Sequence, residues 1–228
     1  MEKMVLVHGA LGAADQMIPL KKLLEKDFEI EIIEFEGHGS KSSIGGAFTL
    51  DGLTSQLFRA IDSHKPVHIF GYSMGGFVAL ISASQGNTNI KSITTLGTKM
   101  KWSPQIAEQE IKHLNPDKIK EKVPAFASAL EKRHGSEWEL VLYRTTEFMK
   151  KLGDAAPITK ERMRQVDIPV HLCLADEDQM VSKEETEEVN EWLPNSRILS
   201  ITESKHPIEQ TNLTALAESV RSFIQSVS

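Results

Sequence analysis

The first 97 residues alternate between short apolar runs and amphipathic stretches, and each strand–helix unit takes about 30 to 40 residues. Runs rich in Val and Ile predict strands, whereas apolar residues repeated at helical spacing predict helices. This alternation is typical of a parallel sheet with helices on both of its faces. The predicted strands are 4–7, 28–35, 67–70 and 90–97, and the predicted helices are 13–27, a segment through 53–61, and 75–84.

The alternation stops between residues 98 and 166, where the sequence has helix-like pieces and four prolines but no convincing strand. It resumes further on, with the predicted elements strand 168–175, helix 183–192, strand 196–201 and helix 213–225. This interruption predicts a helical insertion at 98–166 within one α/β core, which is formed by residues 1–97 and 167–228.

The composition excludes several classes of protein. With 26 Lys and Arg against 32 Asp and Glu, the net charge of −6 argues against a nucleic-acid binder. Cys173 is the only cysteine, so no intrachain disulfide can form and a reducing compartment is expected. No apolar stretch approaches the roughly 20 residues of a membrane span, and the first residues lack a secretory pattern. We therefore expect a cytoplasmic protein with no membrane partner; monomer and dimer both stay open.

The charge is unevenly distributed along the chain. Residues 98–166 carry 14 Lys and Arg against 10 Asp and Glu, whereas the rest of the chain carries 12 against 22. Amphipathic helices often carry such an excess on their solvated faces. The alternative is a positively charged lobe that attracts an anionic substrate.

A serine lies between a predicted strand and a predicted helix, in the stretch Gly71-Tyr72-Ser73-Met74-Gly75. In that context G-x-S-x-G is the pattern of a nucleophile elbow. Glycines on either side let the strand and the helix pass closely, while the serine takes a strained conformation. Its hydroxyl then projects above the sheet at a helix N-terminus, where free N–H groups favour developing negative charge. We predict Ser73 as a nucleophile, with an ordinary turn as the alternative.

A serine hydroxyl needs a base to take its proton, and the base needs a third group to hold its tautomer. His206 lies just beyond the last predicted strand, at the edge where active sites of open α/β sheets gather. Pro207 stiffens the backbone behind it, and His206 is the predicted base. The other histidines have structural interpretations: a surface position for His64, His113 and His134, a buried position in a strand for His68 and His171, and a role in shaping loops for His8 and His38.

The acid is expected after the preceding strand, where three carboxylates are adjacent: Asp176, Glu177 and Asp178. Three like charges side by side cannot all be buried in the ionised form, because desolvation raises their pKa values. One of them is therefore expected to turn inward and hold the imidazole. The residues alone do not distinguish which one.

These parts together resemble the α/β-hydrolase superfamily, in particular its small capped members of the carboxylesterase and lipase-like group. The resemblance covers essentially the whole chain, and the motifs follow the family's order of Ser, Asp and His. The matching motifs are HGALG at 8–12, EFEGHGSKS at 34–42, GYSMGG at 71–76, ADEDQMV at 175–181 and KHPIEQ at 205–210.

The resemblance implies roles for individual residues. The stretch ADEDQMV fits the family's G-x-x-D-x-x-V pattern and so makes Asp178 the acid of a Ser73–Asp178–His206 triad. The oxyanion hole is expected to use the backbone N–H groups of Ala10 and Met74, with Leu11 as second choice for the former. The resemblance also implies about six core strands and a helical cap over the serine. It implies no metal and no cofactor.

The chain departs from the family pattern at several points. Glu34 and Glu36 stand where Asp and Pro are usual, and Lys205 stands where Gly is usual. The chain also begins at the strand that leads into His8-Gly9, so the antiparallel strands that open many members are not expected. These departures weaken an assignment to a subfamily and leave the predicted chemistry intact.

The implied activity is that of a serine hydrolase, which cleaves a small to medium carboxylic ester or thioester through an acyl-enzyme on Ser73. The partner is then a small-molecule acyl substrate. Leu11, Met180 and Trp102 are candidate pocket residues, together with Met74. The remaining aromatic residues of the insertion could line the same pocket or hold the cap helices together: Phe126, Trp138, Tyr143 and Phe148.

Two other activities stay open. Lyases and C–C bond hydrolases of this fold use the same triad, and a positive cap suits a menaquinone-pathway-like lyase; those relatives usually carry Arg where this chain has Phe77. The other alternative is a slow-turnover ligand receptor that keeps the triad. A nonspecific esterase assay separates the hydrolase from both.

Overall fold

The fold is a parallel six-stranded sheet, seen in a computed structural model that describes residues 1–44, 48–61, 65–86 and 89–227. Every neighbouring pair is parallel, and the strand order is β2-β1-β3-β4-β5-β6. The predicted fold class is therefore confirmed; His64 and the glycines at 45 and 46 lie outside the described residues. The strands are β1 (Glu2–Val7), β2 (Phe28–Ile33), β3 (Val67–Tyr72), β4 (Ile90–Leu96), β5 (Val170–Ala175) and β6 (Ser196–Ile201).

Ten α-helices occur in the described ranges, and three short 3-10 turns lie at 39–41, 135–137 and 208–210. None of these helices is long and apolar enough to cross a membrane. The helices are α1 (Ala14–Leu24), α2 (Leu50–Ile61), α3 (Met74–Ser84), α4 (Pro104–Ile111), α5 (Pro116–Lys122), α6 (Pro124–His134), α7 (Trp138–Ala155), α8 (Lys160–Met163), α9 (Lys183–Trp192) and α10 (Leu213–Val227).

The observed elements follow the predicted ones with small shifts at their ends. Helix α2 begins after Thr49, whose hydroxyl accepts a hydrogen bond from the Gly52 N–H at 3.1 Å, as an N-capping residue does. Strand β2 ends two residues earlier than predicted. The reason is that the N–H of Phe35 donates to the ring of His8 instead of to a neighbouring strand.

Two apolar layers cover the two faces of the sheet. One layer joins the sheet to α2, α3, α8 and α9, and the other joins it to α1 and α10. Strand β3 and helix α3 are buried at every position, which makes them the centre of the fold. The link between them, Ser73, therefore lies between two completely buried elements.

The segment 98–166 is described throughout and contains five helices, α4–α8, with no strand. A separate apolar cluster joins α5, α6 and α7, and Trp138 is one of its members. By contrast, Phe148 packs with the core next to the sheet. Phe126 and Tyr143 are 42% and 56% exposed, and the expectation that they line a pocket or hold helices together stays a prediction. The division into core and insertion stays a prediction.

Five histidines are almost completely buried: His8, His38, His68, His134 and His171. The surface position expected for His134 is wrong, because its ring lies between two backbone groups that hydrogen-bond to both nitrogens. Burial disfavours the charged imidazolium. Desolvation lowers the pKa of His8 to about 4 and that of His171 to about 4, the latter with help from the charge of Arg197.

These buried rings predict that the protein loses stability in mild acid. Below about pH 6.5, His8 and His171 bind protons in the unfolded chain but stay neutral in the folded protein. The free energy of unfolding therefore falls as the pH drops toward about 4. Each ring contributes about 3 kcal/mol to this loss. Urea unfolding across that range should show it, and His171→Gln should reduce the slope, whereas His113→Gln, at an exposed position, should leave it unchanged. A stability that is flat over this range would contradict the prediction.

Candidate active site

Ser73 forms the turn between β3 and α3. Its backbone has φ 50° and ψ −113°, a region that residues with side chains rarely occupy. Glycine makes the turn possible, because a Cβ at Gly71 would overlap the backbone nitrogen of Gly76 and one at Gly75 would lie 2.5 Å from the Val7 carbonyl oxygen. The Ser73 N–H donates to Leu96 O at 2.8 Å. The serine is thus fixed between a strand end and a helix N-terminus.

Asp178 and His206 form a hydrogen-bonded pair. His206 Nδ1 lies 2.9 Å from Asp178 Oδ2, and the carboxylate is 1% exposed. The other oxygen, Oδ1, accepts the N–H groups of Met180 and Val181 at 2.8 and 2.9 Å. Since a carboxylate accepts, Nδ1 carries the proton and Nε2 is left with a free lone pair. Burial opposes ionisation of Asp178, but the bond to His206, its charge and the two N–H groups outweigh it and lower the pKa of Asp178.

Asp176 has a different role in the structure. Its carboxylate accepts the N–H groups of Ser204 and Glu203 at 2.9 and 3.1 Å, and the Ser204 bond is the largest cause of its lowered pKa. Asp176 therefore holds the loop that leads to His206, while Glu177 is exposed. Of the three adjacent carboxylates, Asp178 is the one that contacts the imidazole.

Two residues that contact the Asp178–His206 pair, Gly97 and Tyr72, were not identified from the sequence. Gly97 directly follows β4 with φ 55°, and a Cβ there would lie 3.2 Å from both Asp178 Oδ2 and His206 Nδ1. Tyr72 donates its hydroxyl to His206 O at 3.0 Å, and burial raises the pKa of that hydroxyl. A glycine directly after a strand whose end faces the site is the one signal that could have identified Gly97.

Ser73 and His206 line one cavity with two lobes that share part of their walls. Counted together with the open solvent at its mouth, the space along the apolar lobe is about 490 Å³ and that along the wide lobe about 1280 Å³. Within the described residues no hydrogen bond joins the Ser73 hydroxyl to the His206 ring; such bonds often tighten only when a substrate is bound. The shared wall consists of Ala10, Ser73, Glu110, Met149, Met180 and His206.

The two lobes differ in chemistry. The apolar lobe is closed by side chains of α3, α7 and the segment after β4, whereas several polar side chains line the wide lobe. Lys99 in the apolar lobe is neutralised, because its Nζ lies 3.2 Å from Glu110 and donates to Met180 O at 2.8 Å. The remaining residues are Met74, Phe77, Lys99, Trp102, Phe148 and Leu152 in the apolar lobe and Leu11, Tyr72, Gln109, His113, Leu114 and Gln179 in the wide lobe.

The predicted pocket residues Leu11, Met180 and Trp102 all line this cavity, as does Met74. Phe77, Met149 and Leu152 also line it and were not predicted as pocket residues. They look like ordinary apolar positions of a buried helix, α3, and of an amphipathic helix, α7, so the sequence carries no signal that separates them from core residues. Which helix face borders a cavity depends on how the helices pack.

The expected oxyanion donors lie beside the serine. The N–H groups of Ala10 and Met74 donate no hydrogen bond to any acceptor in the described parts of the chain. Ala10 borders both lobes, and Met74 begins α3 directly after Ser73. Leu11, the second choice, has φ 57° and borders the wide lobe. Free N–H groups at such a position can stabilise a negative oxygen.

Among the described residues no group of three or more His, Cys, Asp or Glu side chains could hold a metal ion.

A serine on a strained strand–helix turn, beside a His–Asp pair at the carboxyl edge of a parallel sheet, is the arrangement of an α/β-hydrolase. A profile described as the alpha/beta hydrolase fold matches residues 3–127. The chain therefore belongs to the α/β-hydrolase family.

The individual proteins that the chain resembles share less than a third of their aligned residues with it. The chain is 29% identical over 97 residues to monoacylglycerol lipase abhd6-B of Xenopus laevis, which covers 40% of this chain and 29% of that protein. It is 22% identical to the pimeloyl-[acyl-carrier protein] methyl ester esterase of Neisseria meningitidis, over 99% of this chain and 94% of that protein. A thermophilic esterase from Thermogutta terrifontis superposes with a TM-score of 0.78 at 15% identity, over 100% of this chain and 90% of that one, and this likeness shows the fold.

Substitution of Asp178 and of Asp176 should change kcat by very different amounts. Asp178→Asn should lower kcat by about three to four orders of magnitude, because an amide in contact with Nδ1 favours the wrong tautomer of His206. Asp176→Asn keeps an acceptor for the loop and should leave kcat within about tenfold. Steady-state kinetics with a chromogenic ester measure both effects. A larger loss in the Asp176 variant would assign the acid to the other carboxylate.

Proposed function

We propose that this protein is a serine hydrolase that cleaves small to medium carboxylic esters or thioesters through an acyl-enzyme on Ser73. The observation that carries the proposal is the Asp178–His206 pair, because its histidine borders the same cavity as a serine held in a strained turn. The two free N–H groups of Ala10 and Met74 beside that serine support it. The names of two relatives, a lipase and a methyl ester esterase, agree with an ester substrate.

In the proposed mechanism the Ser73 oxygen attacks the ester carbonyl carbon while His206 Nε2 takes the hydroxyl proton. Asp178 holds the ring and stabilises the imidazolium that forms. The carbonyl oxygen becomes an oxyanion, which accepts the N–H groups of Ala10 and Met74. The imidazolium then gives its proton to the leaving alcohol or thiol as the C–O or C–S bond breaks. His206 next removes a proton from water, whose oxygen attacks the acyl carbon. The bond between that carbon and Ser73 Oγ then breaks, the imidazolium returns its proton to the serine oxygen, and the acid is released.

The two lobes suggest how the substrate is divided. We assign the acyl group to the apolar lobe, because transfer of its methylenes from water to an apolar wall is favourable. The Lys99–Glu110 pair leaves no net charge on that wall, so a neutral acyl group fits better than a carboxylate-bearing one. The leaving group then occupies the wide, more polar lobe. In this proposal residues 98–166 act as a cap, since Trp102, Phe148 and Leu152 close the apolar lobe.

The nucleophile can be tested directly. A fluorophosphonate probe should label the wild-type protein, and Ser73→Ala should abolish both labelling and ester hydrolysis. Ser82→Ala is a matched control, because Ser82 is a buried serine of helix α3, which begins directly after Ser73. Labelling of Ser73→Ala at the wild-type rate would remove the proposed nucleophile. Labelling without turnover of any ester would favour the receptor or lyase alternative.

The acyl assignment predicts a change in chain-length preference. Leu152→Phe narrows the apolar lobe and should lower kcat/KM for a hexanoyl ester about tenfold or more relative to the acetyl ester of the same alcohol. Gln109→Ala, in the wide lobe, should leave the acyl preference unchanged. A series of p-nitrophenyl esters measures both variants. If Gln109→Ala alters the acyl preference and Leu152→Phe does not, the two lobes are assigned the wrong way round.

A further inference from the structure

The turn that carries the Ala10 N–H is held at two carbonyl groups by two buried histidines. His8 Nδ1 lies 2.8 Å from Gly9 O, within the turn itself. His134 Nε2, from the last residue of α6, lies 3.0 Å from Leu11 O. The two carbonyls flank Ala10 in the chain, so both contacts bear on its conformation.

The tautomer of each ring is set by a backbone group of the loop after β2. The Phe35 N–H donates to His8 Nε2 at 3.2 Å, and the Gly39 N–H donates to His134 Nδ1 at 2.9 Å. A ring nitrogen that accepts a hydrogen bond carries no proton, so the other nitrogen of a neutral ring must carry it. Both rings therefore donate to the carbonyls of the turn.

These contacts fix the direction of the expected oxyanion donor. The carbonyl of Gly9 and the N–H of Ala10 belong to one planar peptide and point in opposite directions. Holding the Gly9 oxygen therefore aims the Ala10 N–H. Leu11 has φ 57°, a conformation that a leucine keeps only when its surroundings enforce it. The bond from His134 to the Leu11 carbonyl supplies that constraint from the other side of the turn.

Further contacts keep α6 in place against this turn. Arg133 pairs with Asp15 at 3.0 Å and with Glu209 at 3.2 Å, and it approaches Leu11 O at 3.4 Å. The Ser42 hydroxyl donates to His134 O at 2.9 Å. The end of α6 is thus joined to the loops after β1, β2 and β6, and its position is set by the core.

We infer that His134 is a positioning residue for the oxyanion hole, through which a helix of segment 98–166 holds the Leu11 carbonyl and keeps the Ala10 N–H directed at the reacting oxygen. The inference rests on the proposed function and extends it, because it makes catalysis depend on a side chain that does not line the cavity around Ser73. The segment 98–166 then acts on the chemical step as well as on substrate fit.

Three substitutions of His134 separate positioning from stability. His134→Ala removes both hydrogen bonds and should lower kcat about 10- to 100-fold with KM within about twofold, since one oxyanion donor is worth about 10²–10³ in rate. His134→Gln can keep a donor near the Nε2 position, and His134→Asn can keep an acceptor near the Nδ1 position but loses the donor. The glutamine variant should therefore retain most of the activity, and the asparagine variant should resemble alanine.

The decisive measurement is the affinity of an alkyl trifluoromethyl ketone, whose adduct with a serine carries an oxyanion. Its inhibition constant should rise across the variants in proportion to the fall in kcat/KM, as expected for an interaction made in the transition state. Lys132→Ala, an exposed neighbour on α6, should change neither quantity. If His134→Ala fails to fold, the glutamine and asparagine variants still provide the comparison.

Two outcomes would overturn the inference. Equal kcat and equal inhibitor affinity for His134→Asn and wild type, with a lower melting temperature alone, would make His134 a purely structural residue. Equal losses in the glutamine and asparagine variants would show that the donor to Leu11 does not matter. Failure of the proposed function is distinguishable, because the wild type itself would then show neither ester turnover nor labelling of Ser73.

Discussion

The end of β3 can meet the first turn of α3 because glycine stands at the points where the backbones touch. A Cβ at Gly71 or at Gly76 would overlap a neighbouring atom, and one at Gly75 would press on the end of β1. This close approach joins strand, helix and the adjacent β1 loop at one place. Ser73 is held in its strained conformation because the surrounding elements leave it no alternative. The positions of the cavity, the His–Asp pair and the free N–H groups all depend on this contact.

Near that contact, hydrogen bonds determine the protonation state of the two polar side chains Asp178 and His206. Asp178 is buried, yet it accepts three hydrogen bonds and stays ionised. His206 has its Nδ1 proton fixed by that carboxylate, and Gly97 leaves room for the pair, since a Cβ there would lie only 3.2 Å from both of them. Buried polar groups are costly when unpaired, so a site of this kind keeps its geometry only while every bond is made. The same requirement explains why Asp176, two residues away, holds the loop of His206 instead of its ring.

The buried histidines on the other side of the serine connect the core with residues 98–166. His38 lies between His8 and His134, with ring centroids 4.9 and 6.0 Å away. Desolvation and the neighbouring rings keep the pKa of His38 well below the usual histidine range. Three neutral rings can pack closely where three charged ones would repel. Helix α6 is thereby joined to the turn at Ala10, so packing of the segment and the geometry around Ser73 are not independent.

Local patterns in the sequence determined the elements and their order, because hydrophobic period, turn residues and the G-x-S-x-G spacing act over a few residues. They predicted the six parallel strands, the helices of 98–166 and the positions of Ser73 and His206 at the sheet edge. The choice of Asp178 came from a resemblance and not from the residues, since three adjacent carboxylates look alike until the loop folds. The burial of His134 was decided by tertiary structure alone: its partners, Gly39 and Leu11, lie 95 and 123 residues away along the chain. Tertiary structure also determines which residues line the apolar lobe, because they come from distant segments of the chain. Contacts of that kind produce no periodic pattern in the sequence.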